Sequence, residues 1–211
     1  MNRADPLYLS VIISTWNSSK LLRQTLEYIE RCEVPPGLRW ELVIVNNNCT
    51  DDTDEVVGQF QDRLPIVYVS EPKQGLSRAK NKGLHTARGH MVLFTDDDVK
   101  VNPQWLAAYH RAMVHKPTGY FFGGPIESEF HGPPVDAELL PFAPHSVRGL
   151  EHGDQPRALV DDEAFVSANW ACDRQLLIDS GGFNVSQGLD PSSGKLRVGE
   201  ETDLMNRLKA A

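Results

Sequence analysis

The sequence predicts an α/β protein built on a mainly parallel, Rossmann-like sheet with helices on both faces. Three observations carry the prediction. Between Leu7 and His115, short β-branched or aliphatic runs alternate with amphipathic stretches of helical length, and strands spaced by helices in this way form right-handed βαβ units. Three of the strands run into short polar loops, Ser14 to Asn17, Asn46 to Cys49 and Asp96 to Asp98. In a parallel sheet such loops share the C-terminal edge, where ligands bind. Finally, the first strand is followed by neither GxGxxG nor a Walker P-loop, which excludes the common dinucleotide and P-loop NTPase sites.

Each element has a local reason. Leu7 to Ile13 is a short, partly β-branched run broken by Ser10, and it reads as a buried strand. Ser18 or Ser19 can cap a helix to about Cys32 with Leu22, Leu26 and Ile29 on one face, and Pro35-Pro36-Gly37 ends that unit. Trp40 to Val45 is the second strand. Thr50 with Asp51, Asp52 and Asp54 marks a helix start with acids in the first turn, where the helix dipole favours them. Ile66 to Val69 is the third strand, and Gly75 to Ala87 a helix with Lys73, Arg78, Lys80, Lys82 and Arg88 in or beside it. His90 to Phe94 is the fourth strand, and Pro103 opens a helix from Gln104 to His115 at its favoured first position.

The second half changes character. Thr118 to Ile126 reads as a strand whose Gly123-Gly124 lets backbone approach another group closely. Glu127 to Glu163 is rich in Pro, Gly and His and reads as a long functional loop or a partly disordered one. Ala164 to Ala171 is a further strand, and Asp173 caps a helix that ends at Gly181-Gly182. Gly188 to Gly194 is a loop, and a last helix begins at Gly199-Glu200-Glu201 with Leu204 and Leu208 on one face.

Composition narrows the function classes. The 211 residues suit one domain, 1–211, with a sizeable core. A net charge of −8 argues against non-specific nucleic-acid binding, so no nucleic-acid partner is expected. The three cysteines are widely spaced with no CxxC pattern, which fits a reducing compartment rather than a disulfide framework or zinc site. No apolar run has the length of a signal or transmembrane segment.

The chemistry concentrates at Asp96-Asp97-Asp98. Three adjacent carboxylates repel one another unless a cation or proton offsets them. Hard oxygen ligands of this kind suit Mg2+ or Mn2+, which usually arrive with a phosphorylated ligand. The same residues would also serve as a solvated acidic turn capping the following helix, and spacing alone leaves both readings open.

Four further segments bear on that choice. Val11 to Asn17, Val45 to Thr53, Gly75 to Gly83 and Gly199 to Leu204 followed by Arg207 stand in order with the aspartates between them. Together they resemble the family 2 glycosyltransferases of the GT-A fold, a three-layer αβα sandwich, whose motifs read P-T-Y-N, V-D-N-G-S-T-D-G-T, G-L-S-x-A-R-N-x-G, DxD and G-E-D-x-D-L…R. The resemblance covers most of the chain. It implies an inverting transfer of a sugar from a nucleotide-diphospho-sugar, expected to be a UDP-sugar, to an acceptor hydroxyl of a glycan, lipid-linked or protein acceptor. It further implies polysaccharide or glycoconjugate synthesis in the cytoplasm or at the inner face of the membrane. Residues 1–117 would be the nucleotide-sugar half and 118–211 the acceptor half. Carried over by position, Thr15, Asn17, Asn46, Asn47, Lys80, Asp96 and Asp97 would line the donor site. Asp98 and Asp96 would hold Mn2+ or Mg2+. Glu201, with Glu200 as the neighbouring alternative, would be the general base.

Several positions depart from the pattern. Asn46 replaces an acid that meets the nucleotide base, Lys80 an arginine, Glu201 an aspartate, and Ser14 and Trp16 a proline and a tyrosine. The last helix runs to Ala211 with no glycine cap; related enzymes continue with further strand and helix, so a truncated chain is expected. These departures set a nucleotide-sugar-binding domain with weak or no turnover as the alternative to the enzyme. A nucleotidyltransferase would want a glycine-rich triphosphate loop near the first strand, and none is present.

Overall fold

A computed structural model describes residues 8–115, 121–132, 136, 138–153, 155–160, 163–190, 195–197 and 199–210. The first half follows the expected alternation: β1 (Tyr8–Thr15), α1 (Ser19–Glu30), β2 (Arg39–Asn46), α2 (Thr53–Gly58), β3 (Ile66–Ser70), α3 (Leu76–Thr86), β4 (Met91–Thr95) and α4 (Trp105–His115). The second half supplies β5 (Phe121–Gly123), α5 (His145–Arg148), β6 (Trp170–Asp173), α6 (Arg174–Asp179), a hairpin of β7 (Gly188–Asp190) and β8 (Lys195–Arg197), and α7 (Glu200–Ala210). No described helix is long and apolar enough to cross a membrane.

The main sheet has the order β3-β2-β1-β4-β6-β5. β1 to β4 pair in parallel, whereas β6 runs antiparallel to both β4 and β5. Side-chain alternation along each strand divides the core into two layers. Val11, Ile13, Leu42, Ile44 and Leu93 face Leu22 and Leu26 of α1, Val56 of α2 and Leu106 of α4. Ile12, Val43, Val45, Phe94 and Trp170 face Ala79 and Leu84 of α3, Leu177 of α6 and Leu204 and Leu208 of α7. The result is the expected three-layer αβα sandwich.

Most elements start where their local chemistry puts them. The Asp173 side chain accepts from the Leu176 N–H at the start of α6. Gly83 closes the basic helix over the sheet, since a Cβ there would come within 2.5 Å of Ile12 Cγ2. The predicted close approach at Gly123-Gly124 is also present. A Cβ on Gly123 would lie 2.1 Å from the Phe165 ring, and one on Gly124 2.6 Å from the Asn169 amide.

Some boundaries move. The strand expected over Ala164 to Ala171 is confined to Trp170–Asp173; ahead of it Asn169 O still accepts from Gly124 N–H at 3.1 Å, but the Asn169 side chain serves other elements. It accepts from Trp105 Nε1 at 2.8 Å and Tyr109 Oη at 2.9 Å, and donates to Pro125 O. The strand expected over Thr118 to Ile126 is described only as Phe121–Gly123; Thr118 to Tyr120 lie outside the described residues, as do Leu7 and Gly194. The helix expected at Gln104 begins at Trp105, with Pro103 in the turn ahead of it and the Asn102 side chain accepting from Gln104 N–H. The second helix begins at Thr53, not Thr50, with Asp52 at its N-cap and Asp51 accepting from the Thr53 hydroxyl. Within Glu127 to Glu163 the described residues include a short 3-10 turn, Leu140–Phe142, and α5.

Candidate active site

Parallel pairing brings the predicted loops to one edge. Thr15 and Asn46 are register partners at the ends of β1 and β2, and Ile13 pairs with Thr95 at the end of β4. The first two loops are tied reciprocally. Asn17 Oδ1 accepts from Thr50 N–H at 2.7 Å, while Asp51 Oδ2 accepts from Ser19 N–H at 2.9 Å. Asn17 holds this position with φ 51°, a left-handed backbone that asparagine tolerates better than most residues.

The two buried asparagines spend their N–H groups on the protein. Asn46 Nδ2 donates to Asp54 Oδ1 at 3.0 Å and Tyr68 Oη at 2.9 Å, and its Oδ1 accepts from Cys49 N–H. Asn47 Nδ2 donates to Glu71 O and Lys73 O, and its Oδ1 accepts from Gly75 N–H at 2.9 Å. Each amide has two N–H donors, so each has only an oxygen lone pair left to offer. Asp54 was expected only as an acid at a helix start and Tyr68 only within the third strand; nothing in their spacing links them to Asn46.

At the end of β4, Asp96 and Asp97 are half-buried and Asp98 is exposed. Asp96 Oδ2 accepts from Ser167 Oγ at 2.9 Å. Burial raises the Asp96 pKa, the Lys80 charge and the Ser167 hydroxyl oppose the rise, and the charges of Glu201 and Asp98 add to it; the net shift is upward. Asp97 is pushed up to about 6, chiefly by burial, with Thr15 favouring the ionised form and the flanking aspartates disfavouring it.

Across from this loop stands a buried charge cluster. Lys80, 3% exposed in α3, bonds the Glu201 carboxylate and lies 3.6 Å from Glu200 Oε1, both in the first turn of α7. Burial disfavours the ammonium, but Glu201, Asp96 and Glu200 outweigh it and hold the Lys80 pKa above its ordinary value. Glu200 is also shifted upward, by burial and by Glu201, against the attraction of Lys80. The carboxylate charges thus contribute to both shifts, whereas burial raises the Glu200 pKa and opposes the rise at Lys80. Asp203 and Arg207 of α7 do different work. Arg207 bonds Asp203 at 2.8 Å, Gly182 O at 2.7 Å and also Ser180 O, which satisfies carbonyls at the C-terminal end of α6.

Thus Thr15, Asn17, Asn46 and Asn47 share one stretch of the edge. Asp96 shares a second with Lys80, Glu200 and Glu201. Ser167, in the Ser-Ala-Asn-Trp stretch of the half expected to shape the acceptor side, bonds Asp96, a link for which the sequence carries no spacing signal. Ser77, whose hydroxyl donates to Gln187 O at 2.7 Å and ties α3 to the segment before β7, was likewise not singled out.

Among the described residues, no three His, Cys, Asp or Glu side chains are placed together as a metal cage. Mg2+ and Mn2+ do not require one, because hard cations commonly take one or two carboxylates and complete their shell with water and substrate phosphates. Asp96 and Asp98 offer carboxylate oxygens of that kind, and the charge of Asp98 disfavours a second negative charge on Asp96.

The family described as glycosyl transferase family 2 matches residues 10–136. The chain belongs to that family. Among curated relatives, a putative teichuronic acid biosynthesis glycosyltransferase of Bacillus subtilis is 29% identical over 150 residues, 70% of this chain and 57% of the relative. The chondroitin synthase of Escherichia coli is 30% identical over 108 residues, 50% of this chain and 16% of the synthase. The chain therefore spans less than two thirds of the length of these relatives. Among solved structures, S. aureus TarS 1-349 superposes with a TM-score of 0.70 at 19% identity, covering 96% of this chain and 55% of that one. The same TarS fragment in complex with UDP-GlcNAc gives 0.64 at 20% identity, covering 84% and 49%. The Pyrobaculum calidifontis mannosyltransferase PcManGT in complex with GDP-Man and Mn2+ gives 0.58 at 24% identity, covering 87% and 49%. Fold and family agree: the chain has the GT-A fold and belongs to glycosyl transferase family 2.

Proposed function

We propose that the chain is an inverting, metal-dependent glycosyltransferase that moves a sugar from a UDP-sugar to an acceptor hydroxyl, with Glu201 as general base. One observation supports this above the others: the Asp96–Asp98 loop and the Glu200–Glu201 turn, a sequence half apart, converge on Lys80 at the edge where β1, β2 and β4 end. Nucleotide-sugars are bound in solved structures of the same fold: UDP-GlcNAc in TarS, and GDP-Man with Mn2+ in PcManGT.

In this reading the loops after β1 and β2 hold the nucleotide, and Asn46 offers its remaining oxygen lone pair to a base N–H. Asp98 and Asp96 would hold Mn2+ or Mg2+, which when bound offsets charge on the departing diphosphate. Ser167 keeps Asp96 in place for that role. Glu201 accepts the proton of the acceptor hydroxyl as its oxygen attacks the anomeric carbon. A new C–O bond forms on one face while the bond to the diphosphate breaks on the other, and its electron pair leaves with the nucleoside diphosphate. The acceptor side falls to residues 118–211, toward a glycan, lipid-linked or protein acceptor in polysaccharide or glycoconjugate synthesis, in the cytoplasm or at the inner face of the membrane.

The second reading, donor binding without turnover, draws on the engagement of Glu201 by Lys80. The two are separated by mixing the protein with Mn2+ and a panel of nucleotide-sugars and following binding and nucleoside diphosphate release. Mn2+-dependent binding with release supports the enzyme. Binding without release from any donor, acceptors supplied, supports the binding domain. In the same assay Asp98→Ala removes the Mn2+-dependence of binding; undiminished Mn2+-dependent binding refutes its assignment.

A further inference from the structure

We infer that Lys80 is a positioning residue for the Glu200–Glu201 pair and not a ligand of the donor diphosphate. The inference rests on the reading of Glu201 as the base, and it reverses the donor-side role expected for a basic residue in this helix.

The ammonium already has partners within the protein. It bonds Glu201, lies 3.6 Å from Glu200 Oε1 and sits 5.5 Å from the centroid of the Phe183 ring. Lys80 is 3% exposed, Glu200 4% and Glu201 9%. Removing one partner of a buried pair leaves an uncompensated charge, which is strongly unfavourable. A Lys80 that swung away to a phosphate would leave two adjacent buried carboxylates facing each other. The positive end of α7 offsets that only in part, because a helix terminus supplies about half a unit charge.

The pairing also has a geometric consequence. Lys80 belongs to α3, packed against β1 through Gly83, whereas the two glutamates open α7, 121 residues later. The lysine is thus a strut that fixes the base carboxylate against the sheet edge bearing Asp96. A base displaced by about 1 Å costs on the order of 100-fold in rate, so a strut of this kind acts on turnover and not on donor affinity.

The test compares Lys80→Met, which keeps the stem and removes the charge, with Lys80→Arg, which restores a cation. UDP with Mn2+ is the binding probe, and UDP release at saturating donor gives kcat. We expect Lys80→Met to hold the Kd for UDP and Mn2+ within about threefold while kcat falls about 100-fold. Lys80→Arg should recover a large part of kcat. A loss of UDP affinity of about tenfold or more in Lys80→Met, with or without a loss of kcat, overturns the inference. If Lys80→Met does not fold, Lys80→Met/Glu200→Gln removes one stranded carboxylate and is measured in its place. A crystal structure of the wild type with UDP and Mn2+ decides independently of turnover: Lys80 Nζ still on Glu201 supports the strut, and Nζ on a phosphate oxygen refutes it. If the wild type releases no UDP from any donor, the catalytic reading fails by itself, and the crystal still identifies the partner of Lys80.

Discussion

The Ser167 hydroxyl donates to the Asp96 carboxylate at 2.9 Å, tying a loop from the second half of the chain to the end of β4. Hydrogen bonds to charged groups contribute about 1.5–3 kcal/mol, and this one favours the ionised form of a carboxylate that burial disfavours. Ser167→Ala should therefore weaken Mn2+-dependent UDP binding by about tenfold or more, as titration calorimetry would read it. Ser167→Thr keeps the hydroxyl and should lose much less. Equal losses in the two variants would show that the hydroxyl is not what matters.

Asn46 stands where the family has an acid, and its neighbour explains why an amide is suitable here. Its Nδ2 donates to Asp54 at 3.0 Å and to Tyr68 at 2.9 Å. A carboxylate at this position would face Asp54 with no proton between them. Asn46→Asp should lower stability by about 1–3 kcal/mol in urea unfolding, the penalty for replacing a buried hydrogen bond by an unpaired group. The double variant Asn46→Asp/Asp54→Asn exchanges the two roles and should recover most of that loss. Without such recovery, the Asn46–Asp54 bond is not the source of the destabilisation.

Glu41 supplies a pH signature remote from the candidate site. Buried in β2, it accepts from Ser10 Oγ at 2.6 Å, from Arg88 N–H at 2.7 Å and from the Arg88 guanidinium. Burial works against ionisation, but these donors prevail and its pKa is lowered from 4.5. A depressed folded pKa contributes stability that is complete above the unfolded value and is lost as pH falls through the folded one. Glu41→Gln should thus cost about 2 kcal/mol at pH 7, discounted because the Arg88 side chain is exposed. The difference from wild type should shrink as pH drops below about 4.5. A difference that stays constant down to pH 3 would contradict the assignment.

Much of the frame was legible because its causes are local. Alternating aliphatic runs placed β1 to β4, parallel pairing placed three polar loops on one edge, and Asp173 capped α6 as its position before Arg174-Gln175-Leu176 suggested. Gly123-Gly124 announced a close contact without naming Phe165 and Asn169 as the groups in contact. What escaped prediction was long-range. Trp170–Asp173 inserts antiparallel beside Met91–Phe94, a pairing set by which strand reaches the exposed edge of β4 and not by its own composition. Residues 164–169 look like strand, but the strand begins at Trp170, and the side chains of Ser167 and Asn169 ahead of it bond Asp96, Trp105 and Tyr109. Motif position implied that Asn46, Asn47 and Lys80 face a donor. Their hydrogen bonds show them first engaged with Asp54, with the backbone of 71–75, and with Glu201.

The reading of this chain as an enzyme depends most on the Glu201 carboxylate. Glu201→Gln keeps the shape of the side chain and a bond to Lys80 through its amide oxygen, but it removes the proton acceptor. With Mn2+, a UDP-sugar donor and acceptor supplied, UDP release should fall by 10²-fold or more, the scale of losing general-base catalysis, while the Kd for UDP stays near the wild-type value. Glu200→Gln should retain most of the release rate. Release at the wild-type rate from Glu201→Gln, or its loss from Glu200→Gln instead, would contradict the assignment of Glu201 as the base.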